Sequence, residues 1–134
     1  MTGETDLQKL LDGMRPTMTE VAFAFATTRS LQDVPASVSI IGSFNEDEGV
    51  TIIAPSDQMA PTGFIQSGPF AKISLGIHSS LAAVGLTAKI ATSLTEEGIS
   101  ANIVAGFFHD HIFVPWDDRH LALQILNGLG TEPA

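Results

Sequence analysis

Three short stretches carry the residue types that do chemistry. His109, Asp110 and His111 lie between two apolar runs in AGFFHDHIFVPWDD, residues 105–118. On an extended strand the two imidazoles would project to one face, a spacing that zinc and iron sites use. Such a site needs a third and a fourth ligand, and no motif joins His78 or His120 to the pair. Apolar strands on both sides make the tripeptide read as the polar tip of a hairpin turning at Phe108 to His111. Ligand contact and metal binding are the alternatives, and no metal is expected. In NEDEG, Glu46, Asp47 and Glu48 supply three carboxylates. General acid–base work needs two carboxylates facing one cleft, whereas three in a row on a turn splay into solvent. No catalytic residue is expected.

The stretch HSSLAAVGLTAK, residues 78–89, is more informative. A strand ends at His78, two serines follow, and a helix starts near Gly85. Backbone N–H groups at a helix N-terminus attract carboxylates and phosphates. Ser79 and Ser80 add hydroxyl donors, and Gly85 lets a ligand approach the backbone. An ordinary strand-to-helix corner is the alternative. Neither a Walker loop, nor a Gly-x-Gly-x-x-Gly turn, nor a Gly-x-Ser-x-Gly elbow occurs, and no cofactor is expected.

These residues need a scaffold. At 134 residues, with 44% apolar and only 16% charged residues, the chain suits one compact domain or two small modules. The formal net charge of −9 disfavours nucleic acid and anionic membranes, which need a basic patch. Cysteine is absent, which excludes disulfides, zinc–thiolate sites and thiol nucleophiles. MTGETDLQKLLDGMRP lacks a basic segment leading into an apolar stretch, so no signal peptide is expected, and the cytoplasm is the default location. No apolar run is long enough to predict a membrane span.

Leu7, Leu10, Leu11 and Met14 recur at helical spacing, with Pro16 closing the segment. EVAFAFATT alternates as a strand, with an alanine face that would admit a closely packed helix. SLQDVPAS is loop-like, SVSIIGSF and GVTIIAP are β-rich, and PSDQMAPTG suits a helical turn. FIQSGP reads as a linker before the strand FAKISLGIH, whose Ala71, Ile73, Leu75 and Ile77 share a face. Leu86, Ile90 and Leu94 stack on one helix, with Gly98 as its C′ residue. ISANIVAGFF and HIFVPW are further strands, and Asp117 is expected to cap a last helix carrying Ala122, Ile125, Leu126 and Leu129. SIIGSFNEDEGVTIIAPSD and NIVAGFFHDHIFVPWD share an order of elements, a weak internal repeat.

The order GLTAKIATSLTEEGISANIVAG followed by HDHIFVP, taken with HSSLAAVGLTA, resembles the ACT domain. The chain is similar to small bacterial ACT-domain proteins related to the paired ACT modules of aspartate kinase and of cytosolic arginine sensors. The specific part covers residues 70–128. Residues 20–60 look like a degenerate partner module that lacks a helix after EVAFAFATT, and residues 1–16 add a helix outside the pattern. The resemblance implies an α+β, ferredoxin-like fold: tandem modules, here 1–65 and 66–134, with a mainly antiparallel sheet covered by helices. A complete ACT module is βαββαβ, whereas residues 70–128 supply βαββα, so the strand over 20–28 is expected to complete that sheet.

The resemblance further implies a regulatory module that binds an amino acid and performs no chemistry. The ligand would sit on the loop from His78 to Thr87, nearest Ser79, Ser80, Leu81, Val84, Gly85 and Leu86. A second contact region falls on Asn102, Val104 and Ala105. The expected partners are an amino acid or similar small molecule and a second copy in a homodimer, with no nucleic acid and no membrane. A structural oligomerisation or protein-interaction module without a ligand is the alternative. A small metal-dependent enzyme using His109 and His111 is a further one.

Overall fold

Local chemistry at the start of the chain sets its first helix. In the computed structural model, which describes residues 6–77 and 85–130, α1 (Leu7–Asp12) begins at Asp6. The Asp6 carboxylate accepts a hydrogen bond from the Lys9 N–H at 3.1 Å, satisfying one of the orphan donors of the first turn. Two units make up the chain, residues 20–70 and residues 1–19 with 71–134.

In the unit of residues 20–70, β2 (Phe23–Thr28) pairs antiparallel with β4 (Gly49–Pro55), from Phe23 opposite Pro55 to Thr28 opposite Val50. β3 (Gly42–Glu46) and β4 form a hairpin in which Glu46 faces Gly49, leaving Asp47 and Glu48 as the turn. The other side of β2 pairs with the first half of β5 (Gln66–Leu75). The order is therefore β3-β4-β2-β5. Ala24 and Ala26 pack with Ile52, Ala54, Val38 and Met59 in one core cluster. Met59 belongs to α2 (Ser56–Met59), a single turn continued by a 3-10 turn over Ala60–Thr62. The alanines leave the space that a fully buried methionine fills. No α-helix separates β2 from β3; a 3-10 turn at Leu31–Asp33 stands there.

In the other unit, β1 (Pro16–Met18) pairs antiparallel with the second half of β5, Pro16 opposite Leu75 and Met18 opposite Ile73. On the other side of β5 come β7 (Asp110–Pro115) and then β6 (Asn102–Ala105), an antiparallel hairpin. α3 (Leu86–Glu96) connects β5 to β6, and α4 (Arg119–Gly128) follows β7 after a 3-10 turn. Ala71, Ile73 and Leu75 join Ile112 and Val114 in a core that takes in Leu10, Leu11, Met14, Leu86, Ile90, Leu94, Ala122 and Leu126. Burying Leu86, Ile90 and Leu94 along one stripe contributes about 1.5–3 kcal/mol each. α3 ends in a Schellman arrangement, Ile99 N–H to Leu94 O at 3.0 Å and Gly98 N–H to Thr95 O at 2.9 Å, with Gly98 at φ 73°.

Both units thus carry the strand order of a ferredoxin-like α+β fold. In residues 20–70 the strands, numbered along the chain, lie in the order 4-1-3-2 with β5 as the fourth. In the other unit β5, β7 and β6 keep the 1-3-2 order, and β1, which precedes them in the chain, fills the fourth strand's place. The segment that completes the sheet of residues 71–128 is therefore β1; the strand over 20–28 pairs with the earlier half of β5.

Three local expectations are corrected. FIQSGP is no linker, because β5 starts at Gln66. The hairpin turns at Gly106 to His109, closed by the Gly106 N–H on His109 O at 3.0 Å. A Cβ at residue 106 would come 2.7 Å from that same oxygen, so glycine sets the reversal and the tip is Phe107-Phe108. His111 consequently lies within β7. Asp117 does not cap α4, since the Trp116–Asp118 turn intervenes and Asp118 takes the N-cap position without a side-chain bond. Arg119 holds that turn: its guanidinium donates to Trp116 O at 2.9 Å and lies 3.9 Å above the indole ring.

Candidate functional site

The start of α3 is built on a backbone conformation that favours glycine. Gly85 occupies the N-cap position at φ 97°, ψ −19°, and its carbonyl accepts the first helical bond from the Lys89 N–H at 2.9 Å. An N-cap residue normally bonds a first-turn N–H through its side chain. Glycine has none to offer, and the first turn carries no acidic residue. A Cβ at residue 85 would touch Leu7 Cδ2 of α1 at 3.4 Å, ordinary contact. Leu86 points into the core, so only its backbone can serve a ligand, while Thr87 is exposed. His78, Ser79, Ser80, Leu81 and Val84 lie outside the described residues.

The second group of candidates sits on β6. Asn102 faces Phe113, Val104 faces His111 and Ala105 faces Asp110 across the hairpin. Asn102, Val104 and Ala105 are all exposed, and β6 is the last strand on its side of the sheet. Its outer edge presents backbone N–H and C=O groups. Phe107 and Phe108 follow at the tip, 69% and 63% exposed, their rings in edge contact with centroids 5.0 Å apart. The candidates therefore fall on two elements, the α3 start against α1 and the β6 edge.

One contact lies outside the expected set. The Ser74 hydroxyl of β5 and Nδ1 of His111 are 2.8 Å apart, a half-buried bond between strands. Burial lowers the His111 pKa, and the positive charges of Lys72 and His109 lower it further against the opposing effect of Asp110. His109 Nδ1 lies 3.4 Å from Ile77 O. Among the described residues no group of three or more His, Cys, Asp or Glu side chains is arranged to hold a metal ion. Alternation could have found the pair: Ala71, Ile73 and Leu75 point to the core, so Lys72 and Ser74 point away, and Ile112 and Val114 do the same for His111.

Two family models, each describing an ACT domain, match residues 2–71 and 68–128. The chain belongs to the ACT-domain family. Its two ACT domains account for the twofold occurrence of the 4-1-3-2 sheet and for the weak sequence repeat, whose copies are β3-β4 running into α2 and β6-β7 running into the Trp116–Asp118 turn. A Vibrio cholerae protein of unknown function, described as a possible transport protein, is 40% identical in sequence. Its structure superposes with a TM-score of 0.83 over 92% of this chain and 95% of that one. The regulatory subunit of aspartate kinase from Thermus thermophilus, in a ligand-free form, gives a TM-score of 0.69 at 9% identity, over 87% of this chain and 97% of that one. Escherichia coli aspartokinase III, in complex with aspartate and ADP, gives 0.68 at 13% identity over 90% of this chain and 34% of the kinase. Those two likenesses establish the shared fold. No curated protein is significantly similar in sequence.

Proposed function

We propose that this tandem ACT chain is a non-catalytic regulatory module that binds an amino acid or similar small molecule and works as a cytoplasmic homodimer. The supporting observation is the α3 start, where an ACT helix opens on Gly85 with no side chain at its N-cap. The ligand's α-carboxylate would bond backbone N–H groups between Leu81 and Thr87, helped by Ser79 and Ser80. Asn102 or a neighbouring backbone carbonyl would accept from its amino group. Helix-terminus attraction contributes about 0.3–2 kcal/mol and each charge-assisted hydrogen bond about 1.5–3. Those sums suit a micromolar-to-millimolar sensor, about 4–8 kcal/mol. The solved neighbours that are regulatory subunits of aspartate kinase support the same class of role.

A thermal-shift screen of the common amino acids, followed by calorimetry on any hit, tests the reading. A hit is expected to weaken in Ser80→Ala and Asn102→Ala. A ligand indifferent to both, or no hit at all, refutes the site. A second reading, an oligomerisation module without ligand, is favoured by Phe107 and Phe108 beside the β6 edge. Sedimentation distinguishes it: a dimer that dissociates in the Phe107→Ser/Phe108→Ser variant, with no amino-acid hit, would replace the first reading.

A further inference from the structure

The unit of residues 20–70 follows β4 with the single turn of α2, where the other unit follows β7 with the ten residues of α4. Pro61 lacks the N–H that a longer helix would use, and Gly63, at φ 74°, ends the 3-10 turn in a left-handed conformation. Beside this short helix lies a cleft of about 250 Å³, lined by Ala24 of β2, by Ser56 and Ala60, and by Gln66 to Pro69 of β5. Its β5 side is a bulge. Ser67 opposes Phe25 and Phe70 opposes Phe23, so Gly68 and Pro69 together face Ala24. A Cβ at residue 68 would lie 2.9 Å from Phe23 O, and φ there is 141°, so glycine suits the close approach. Small residues at 24, 60 and 68 keep the space open.

Two polar side chains of the cleft decide what it could hold. Ser56 Oγ is buried and has no hydrogen-bond partner among the described residues. A hydroxyl left so has given up water without return, and a partner in the cleft restores the missing bond. Gln66 supplies the complement. Its Nε2 donates to Met59 O and to Phe64 O, both at 3.1 Å, which occupies both amide hydrogens and leaves Oε1 as an acceptor. We propose that this cleft binds a small uncharged amide, whose carbonyl accepts from Ser56 Oγ and whose N–H donates to Gln66 Oε1. Ser56 reaches the ligand by turning between staggered χ1 positions, with no backbone movement. No lining residue is charged, so a carboxylate or an ammonium would lose hydration without gaining a counter-charge. The volume is below the roughly 300–1,000 Å³ of pockets that take drug-sized ligands, so the group that enters is small. The site lies wholly within residues 20–70 and does not rest on the α3 start.

Backbone amide NMR spectra of the full chain, titrated with propionamide, test this, with propionate as the charged control of the same shape. A probe this small is expected to bind with a millimolar Kd and to move the signals of Ala24, Ser56, Ala60 and Gly68 along saturating curves. Ser56→Ala should weaken binding about fivefold or more. Its melting temperature should stay at or above that of the parent, because the variant removes an unpaired buried hydroxyl and no cap. Ala60→Leu, at an exposed position, should abolish binding by filling the cleft. Four results overturn the proposal: no saturation up to about 100 mM, propionate binding as tightly as propionamide, an unchanged Kd in Ser56→Ala, or undiminished binding in Ala60→Leu. The signals read here belong to another domain than the α3 start, so this proposal and the amino-acid reading can each fail alone.

Discussion

Replacing Gly85 separates backbone strain from crowding at the proposed ligand loop. At φ 97° an L-residue brings Cβ against its own backbone, a cost of about 1–2 kcal/mol. Alanine recovers part of that, about 0.4–1 kcal/mol, by restricting the unfolded chain, yet the incompatible native φ outweighs the gain. The 3.4 Å approach to Leu7 Cδ2 adds little for a single methyl. Gly85→Ala should therefore lose about 1 kcal/mol, and Gly85→Val more, because its branches meet both the backbone and Leu7. Gly85→Asn should fall between glycine and alanine, since asparagine tolerates left-handed backbone. Urea unfolding followed by circular dichroism reads the series, and about 1 kcal/mol corresponds to a few degrees in Tm. Adding Leu7→Ala to Gly85→Val should not restore stability, because most of the loss is in the backbone. Restoration would refute the strain argument, as would a Gly85→Ala protein as stable as the parent. The bulky Val substitution is consequently a poor probe of ligand access, and ligand tests belong on Ser80 and Asn102.

Three further outcomes follow from particular contacts. Because the fold lowers the His111 pKa, the unfolded chain binds the proton more readily below the ordinary value of 6.5. Stability should fall as pH drops from 6.5 towards the folded value, and thermal melts of His111→Gln should show a shallower loss over that range. Gly128→Ala, inside α4 with open space where the Cβ would go, should stabilise by about 0.5–1 kcal/mol in thermal melts. Arg119→Ala removes a donor to Trp116 O and a cation over its ring, so it should cost about 1 kcal/mol or less and shift the emission of the single tryptophan.

Much of the scaffold was legible where one face is buried. The alternation from Ala71 to Leu75 and the Leu86–Ile90–Leu94 stripe are burial patterns, and both sit in the core as expected. Gln66 to Gly68 read as a linker because polar residues and glycine carry no burial period, yet β2 supplies them with a partner strand. β1 was invisible for the same reason: three residues have no periodicity, and only the non-local pairing of Pro16–Met18 with β5 makes them a strand. At the hairpin tip a compositional rule, polar residues at turns, competed with a steric one. The steric one won, since only glycine at 106 allows the close approach to His109 O.

That last competition bears directly on the candidate sites. Moving the turn from Phe108–His111 to Gly106–His109 takes His111 out of the reversal and leaves it wholly within the strand expected for HIFVPW, where it meets Ser74 of a neighbouring strand. On the sheet it is half-buried and bonded to Ser74, and burial first, then Lys72 and His109, lower its pKa. The same shift puts Phe107 and Phe108, not charged groups, at the exposed end beside the β6 edge. An edge strand ending in two solvent-facing aromatic rings is a surface that apolar burial favours covering. If a second copy covers it, the Phe107→Ser/Phe108→Ser variant loses association while His111 and Ser74, on the sheet face, keep their bond. If association instead survives that variant, another surface carries the dimer, and the β6 edge is left to a ligand.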